Sequence, residues 1–279
     1  MSQTKAKRIF TPFSHWTIDF CAQTEAFGHL NQLFNFSSWT DFPSCELLND
    51  ILSNGAKTIS GKAIEFFPQD ESFDFAGRAY ETVIYQTGQV PTRINSWHDT
   101  FGALIWCLFP KTKALLNSLH QQDIEAFGQK ERTKVRNAIT LLDECGVILP
   151  FSNDAFVELL RDHQWQQALF ERRDEWGKSI EAFNFGHANY EMLTQAYIGL
   201  TGKALFVEVD EGFFTLSLKE QYRILDELLF INISENHWLK DNKYLSPLPL
   251  LGVPGWWPEN EQVNFYHNKQ YFREKRRKT

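Results

Sequence analysis

The sequence of 279 residues lacks any apolar run long enough to cross a membrane. Its longest, FGALIWCLF at 101–109, is closed by Pro110, whereas a bilayer-spanning helix takes roughly 20 residues. The opening stretch MSQTKAKRIFTPFSHW has basic residues but no apolar run behind them, so it does not read as a secretory signal. A soluble, cytoplasmic protein without membrane association is expected. Cysteine is scarce: Cys21, Cys45, Cys107 and Cys145 make no CxxC or zinc-finger spacing and no disulfide framework, so reduced, packed thiols are expected. HExxH, His-x-His, a GxSxG elbow, a Walker A loop and a GxGxxG turn are all missing. So are internal repeats, low-complexity segments and Gly/Ser/Pro linkers.

What is present is hydrophobic and aromatic. Hydrophobic residues make up 43% of the chain, with 25 Phe, 9 Trp and 8 Tyr, which is ample for a packed core. The net charge of −7 hides an asymmetry, because three basic residues fall within 1–8 and five within 273–279. The body between is more acidic still and would repel a phosphate backbone, so nucleic acid is not an expected partner. A short basic tail reads as solvated chain. Oligomeric state is not legible.

The expected fold is α+β, a mostly helical single domain with a small sheet. Residues 1–43 form an aromatic-rich wrapping segment, 44–245 an α+β core, 246–272 an irregular Pro/Trp-rich segment and 273–279 the basic tail. SCELLNDILSNG reads as a short helix with Ser44 as N-cap and Gly55 as stop. KAIEFFPQ and RAYETVIYQTG read as strands, the second on its alternation. Helices are expected from Ser96 to before Pro110, over about 111–126, and over about 130–144. GVILPF and ALFVEVDEGFFTL have strand character, 153–177 reads as one long polar helix, and SLKEQYRILDELLFINI as another. Four prolines in YLSPLPLLGVPGWWPENEQVNFY exclude a helix there. That stretch is too apolar to float in water, so it should wrap the core or roof a cleft.

On a helix, Trp97, Phe101, Leu104, Ile105 and Leu108 of NSWHDTFGALIWCLF define one buried stripe, with His98 on its shoulder. Ser96 can cap, and Asp99 stands where a capping-box acid reaches back. The positive helix end disfavours imidazolium, which would leave His98 neutral and available as a base or ligand. Local signals alone favour the alternative, a capped helix with a histidine at the core edge. Asn117 and His120 lie one turn apart in the next helix. In KVRNAITLLDECG, Arg136 shares a polar stripe with Asp143 or Glu144, two acids at a helix end that favours cations. A metal or a buried Arg partner would account for them, as would plain solvation. Gly186 precedes a further helix headed by His187, as His98 heads its own. Two histidines and carboxylates from separate helices suit Zn²⁺, Mn²⁺ or Fe²⁺. An HD-type phosphohydrolase arrangement would have to conscript His29 and Asp143, and its His-Asp pair usually closes a helix.

The blocks GQVPTRINSWHDTFGALIWCLFPKTKALLNSLH, VRNAITLLDECG, FGHA and PLPLLGVPGWWPEN, spread over about residues 80–272, resemble a bacterial family catalogued as domain of unknown function 3025. The resemblance implies no particular activity. It does imply a signature made of His98, Asp99, Asn117, Arg136, Asp143, Glu144, His187 and the Trp256-Trp257 segment. The sequence departs from it at Gly102, where Asn is usual, and at Asn137, where Asp is usual.

The leading expectation is therefore a hydrolase-type enzyme acting on a small molecule. His98, Asp99, His187, Asp143 and Glu144 would be catalytic; His98, His187, Asp143 and His120 would hold a divalent metal. Arg93, Asn117, Arg136, Trp256 and Trp257 would bind substrate. The alternatives are a non-catalytic protein binding a small molecule or a protein through the same polar groups, and a buried polar network that fixes helix packing.

Overall fold

The computed structural model describes residues 10–52 and 55–275, and is about 52% helical with 12% strand, an α+β fold. One contiguous hydrophobic core runs from Phe20 to Phe272. Its helices are α1 (Gly28–Phe34), α2 (Cys45–Ile51), α3 (Tyr80–Thr87), α4 (Trp97–Leu108), α5 (Pro110–Phe127), α6 (Lys134–Cys145), α7 (Asp154–Arg161), α8 (His187–Leu193) and α9 (Leu218–Ser234). Its strands are β1 (Glu65–Pro68), β2 (Gln89–Thr92), β3 (Gly146–Phe151), β4 (Phe183–Asn184), β5 (Thr201–Glu208) and β6 (Ser246–Pro249). The main sheet has the order β4-β3-β5-β6, parallel only between β3 and β5. Every residue of β3 is buried, as its uniformly apolar GVILPF requires. β1 and β2 form a separate parallel pair, joined through α3.

Three expectations are corrected. RAYETVIYQTG is helical, not a strand: the buried residues Thr82, Val83 and Ile84 are consecutive rather than alternating, and they pack α3 on α5. Gly88 ends it in the left-handed conformation (φ 80°), and a Cβ there would stand 1.9 Å from the carbonyl oxygen of Ala63. Only glycine fits both constraints. The long polar helix over 153–177 is broken, because α7 stops at Arg161 and His163 adopts a left-handed φ of 58°. Beyond that break the chain makes a short π-helical turn and a 3₁₀ turn. The Pro-rich C-terminal stretch is not wholly irregular either. Ser246–Pro249 pairs antiparallel with β5 as the edge strand of the sheet, a position where prolines are tolerated.

The N-terminal aromatics do pack over the core, and they converge on the head of α4. Trp16 stacks on Trp97 with ring centroids 4.6 Å apart, and Phe20 and Phe42 meet the same indole edge-on. Ser96 caps the helix by accepting the Asp99 amide at 3.2 Å. The expected stripe of Trp97, Phe101, Leu104, Ile105 and Leu108 is buried throughout. The next helix has its first turn fixed from outside. The buried Asp226 carboxylate on α9 accepts the amides of Lys111 (3.0 Å) and Thr112 (2.8 Å), two of the donors that the start of α5 leaves open. The four cysteines are free, and burial pushes the Cys107 thiol up to about 12.

Asp226→Ala should therefore lower stability by roughly 1–3 kcal/mol, the cost of stranding buried donors. Asp226→Asn, which keeps one acceptor, should cost less. Urea unfolding measures both, and an unchanged Asp226→Ala midpoint would contradict the role.

Candidate functional site

Three backbones meet where α6 ends, β3 begins and α8 starts. The amides of Phe185 and Gly186 both donate to the carbonyl of Gly146, at 3.0 and 2.8 Å. The approach depends on glycine, since a Cβ on Gly186 would lie 2.4 Å from the carbonyl oxygen of Glu144 and 2.6 Å from the amide nitrogen of Gly146. Buried Asn189 adds bonds to the Gly146 carbonyl (3.3 Å) and to Asn184 (3.0 Å). Because α4 packs on α8, this junction sets His187 against His98 and against the two acids that end α6.

Nε2 of His98 and Nε2 of His187 are 3.0 Å apart, and Nε2 of His187 is 3.3 Å from Oε2 of Glu144. Donor atoms from these three residues all lie within 4.8 Å of one another. The outer ring nitrogens face carboxylates. Nδ1 of His98 is 3.0 Å from Oε2 of Glu191, and Nδ1 of His187, buried without a hydrogen-bond partner, is 3.9 Å from Oδ2 of Asp143. Asp143 is itself paired with Lys113 of α5. The Glu191 contact suits a proton on Nδ1 of His98, and the 3.0 Å Nε2–Nε2 contact is a hydrogen bond when one of the two rings carries a proton on Nε2. A proton on one Nε2, or a cation between the two, satisfies both nitrogens at that distance.

The electrostatics separate the two rings. Burial pushes His187 down to about 4, with Lys113 and His98 adding to it against the pull of Asp143. Burial also opposes charge on His98, but the Glu191 hydrogen bond and the nearby Glu144 and Glu191 carboxylates outweigh it and raise the pKa. The carboxylates in contact with His98 thus act against the pull of the positive helix end, which alone would lower its pKa. Burial raises Glu144, helped by Asp143 and Glu191. Asp143 is lowered despite its burial, by Lys113 and His187.

His98, His187, Asp143, Glu144 and Lys113 line a cavity of about 390 Å³, with Arg93, Asp99 and Trp106 on its walls. Asp99 does not close a capping box. It accepts from the Arg93 amide (2.7 Å) and from both sides of the guanidinium, Nε at 2.9 Å and Nη2 at 2.7 Å. Gly102 also lines the cavity, where a Cβ would touch His187 Cγ at 4.0 Å, so the Asn usual at this position would put an amide beside that ring. Asn137 is exposed on α6.

Other expected members lie elsewhere. Asn117 is beneath the cavity wall and donates to the carbonyl oxygen (2.8 Å) and to Oε2 (2.7 Å) of Glu81. His120 is buried on α5 and outside the cluster, contributing only its field at Asp143. Arg136 lies two turns before Asp143 on the same face of α6, and it meets the opposite end of α5 from the one that holds Asp143. It pairs with Asp123 at 2.6 Å and donates to the carbonyls of Gly128, Gln129 and Glu131, closing the end of α5. Trp256 and Trp257 line a different, more open cavity of about 920 Å³, together with Thr24, His29 and Trp176. The segment turns there because Asn260 binds the carbonyls of Leu251 and Val253, and because Thr24 and Glu25 bind the carbonyls of Trp256 and Gly255.

Sequence reasoning missed Glu191, Lys113, Tyr80 and Glu81. Glu191 comes four residues after His187 on one helix, a spacing that shares a face, so it was open to detection. Tyr80 is 42% exposed as a residue, but its hydroxyl end is enclosed, and burial with Glu81, Asp99 and Asp143 nearby raises its pKa well above the ordinary value.

Fold and site together define an α+β protein with a His/carboxylate cluster in a walled cavity. Residues 64–276 match the model of the family described as Protein of unknown function (DUF3025), and the chain belongs to that family. All members of the cluster fall within the matched span. No curated protein and no solved structure matches the chain. Among the described residues, no helix is long and apolar enough to cross a membrane.

Gly186→Ala is expected to cost about 1–3 kcal/mol through overpacking and to move His187 away from His98. Urea unfolding gives the first effect. The second appears in histidine ring NMR as His98 and His187 signals that no longer shift together. Wild-type stability with unaltered ring signals would contradict the steric account.

Proposed function

We propose that His98, His187 and Glu144 hold a divalent transition metal, Zn²⁺, Mn²⁺ or Fe²⁺, in a hydrolase-type enzyme acting on a small molecule. The observation that carries this reading is the convergence of two imidazole Nε2 atoms and one carboxylate oxygen at 3.0 and 3.3 Å. Ligands about 2.0–2.1 Å from a tetrahedral ion stand roughly 3.3–3.4 Å apart, so the cluster is already near ligand spacing. Carboxylates behind both rings, Glu191 and Asp143, are the partners that orient ligating histidines. The metal set differs from the sequence expectation: Glu144 replaces Asp143, which is held by Lys113, and His120 stands outside.

A bound cation would supply Lewis acidity and make water more acidic. The chain orients the ligands through Glu191 and Asp143 and fixes the cavity wall through the Arg93–Asp99 fork. Tyr80 remains a neutral hydrogen-bond donor. In the hydrolytic step, water gives its hydroxide to the electrophilic centre, the bond to the leaving group breaks, and the remaining proton passes to that group. A second reading rests on the 3.0 Å His98–Glu191 contact. Without metal, that contact would orient His98 as a general base.

Zinc and manganese titrations followed by calorimetry, with elemental analysis after desalting, test the metal reading. One equivalent per chain is expected, with affinity at least 100-fold weaker in His98→Ala and His187→Ala and about 10–100-fold weaker in Glu191→Gln. Substoichiometric metal, or equal affinity in all variants, would leave the general-base reading.

A further inference from the structure

The cavity holds a second polar group that the His/Glu cluster does not use. Glu81 sits on its wall, and the amide of Asn117 grips it twice, at the carbonyl oxygen and at Oε2. An acid in the first turn of α3 is explained by the helix dipole alone. The dipole does not explain why a residue only 2% exposed spends its amide nitrogen there while its Oδ1 finds no partner. A buried amide that clamps a carboxylate at a cavity wall holds that carboxylate in one orientation.

The charges around it are unbalanced. Four carboxylates line the cavity (Glu81, Asp99, Asp143 and Glu144), against two permanent cations, Arg93 and Lys113. Both cations are taken: Arg93 is forked to Asp99, and Lys113 is paired with Asp143. Glu144 belongs to the cluster. Among the described residues, Glu81 is left as a carboxylate with an amide partner and no cation. A phosphate or carboxylate substrate would find no free side-chain cation beside Glu81 and would meet a carboxylate there. The aromatic walls, Phe75, Tyr80 and Trp106, suit a cation, which is attracted to ring faces. Lys113 already places its ammonium 5.5 Å from the Trp106 ring centroid.

We propose that Glu81, positioned by Asn117, is a recognition carboxylate, and that the molecule taken by this cavity carries a protonated amino group. The inference rests on the reading of the cavity as the substrate site of the His98/His187/Glu144 cluster. It narrows the substrate class to small amines.

The test uses full-length protein, its metal content measured on each sample, and three probes of one shape: n-butylammonium, n-butanol and butyrate at pH 7. Binding is read from NMR shifts of the Trp106 indole and of the cavity backbone amides. n-Butylammonium should bind at least ten-fold more tightly than either of the others. Glu81→Gln should remove that preference without changing metal content, and Asn117→Ala should weaken it. Butyrate or butanol binding as well as the amine would overturn the proposal, and this wild-type comparison does not depend on any variant folding. A folded Glu81→Gln that keeps the full preference would overturn it as well. Protein that retains no metal yet keeps the preference for the amine, lost in Glu81→Gln, would contradict the metal reading and uphold this one.

Discussion

Two imidazole nitrogens 3.0 Å apart, on the first turns of α4 and α8, are the contact around which the rest of this structure is arranged. At that distance the two nitrogens share a proton carried by one ring or face a cation between them. The fold enforces it from both sides. On one side, Trp16, Phe20 and Phe42 lock Trp97 and with it the first turn of α4. On the other, the bare Cα of Gly186 lets the start of α8 lie against the end of α6. The aromatic N-terminal segment lies outside the matched family span, yet it supplies the clamp on one of the two helix heads.

The carboxylates divide into two kinds of work. Glu191 and Asp143 stand behind the rings, Glu191 in hydrogen-bond contact with Nδ1 of His98 and Asp143 3.9 Å from Nδ1 of His187. Glu144 stands in front, half-buried, 3.3 Å from Nε2 of His187. Asp99, although next to His98 in sequence, serves the cavity wall by holding Arg93. Helix geometry explains this split, because adjacent helical residues point about 100° apart. His98 can reach across to α8 while Asp99 turns back toward Arg93.

Much of the fold was legible where local signals agree with tertiary demands. β3 matches GVILPF residue for residue, and α4 keeps its cap and stripe. The reading failed where two periods compete, as in RAYETVIYQTG, whose alternation suggests a strand although its consecutive Thr82, Val83 and Ile84 are buried on a helix. It failed again at His163, where no Gly or Pro marks the left-handed turn that ends α7. For the site, His98, Asp99, Asp143, Glu144, His187 and Arg93 come to one cavity. Arg136 and the Trp256-Trp257 segment do not, because a polar stripe along a helix says nothing about which neighbour it meets. The buried Lys113 that holds Asp143 carries no local signature at all.

The central claim is that the two rings and Glu144 are ligands of one ion. X-ray absorption at the metal edge, on full-length protein loaded with one equivalent of zinc, measures this most directly. The account predicts two imidazole nitrogens and at least one oxygen in the first shell at about 2.0–2.1 Å, with the imidazole scattering reduced by half in His187→Ala. A first shell of oxygens alone, unchanged by His187→Ala, would contradict it.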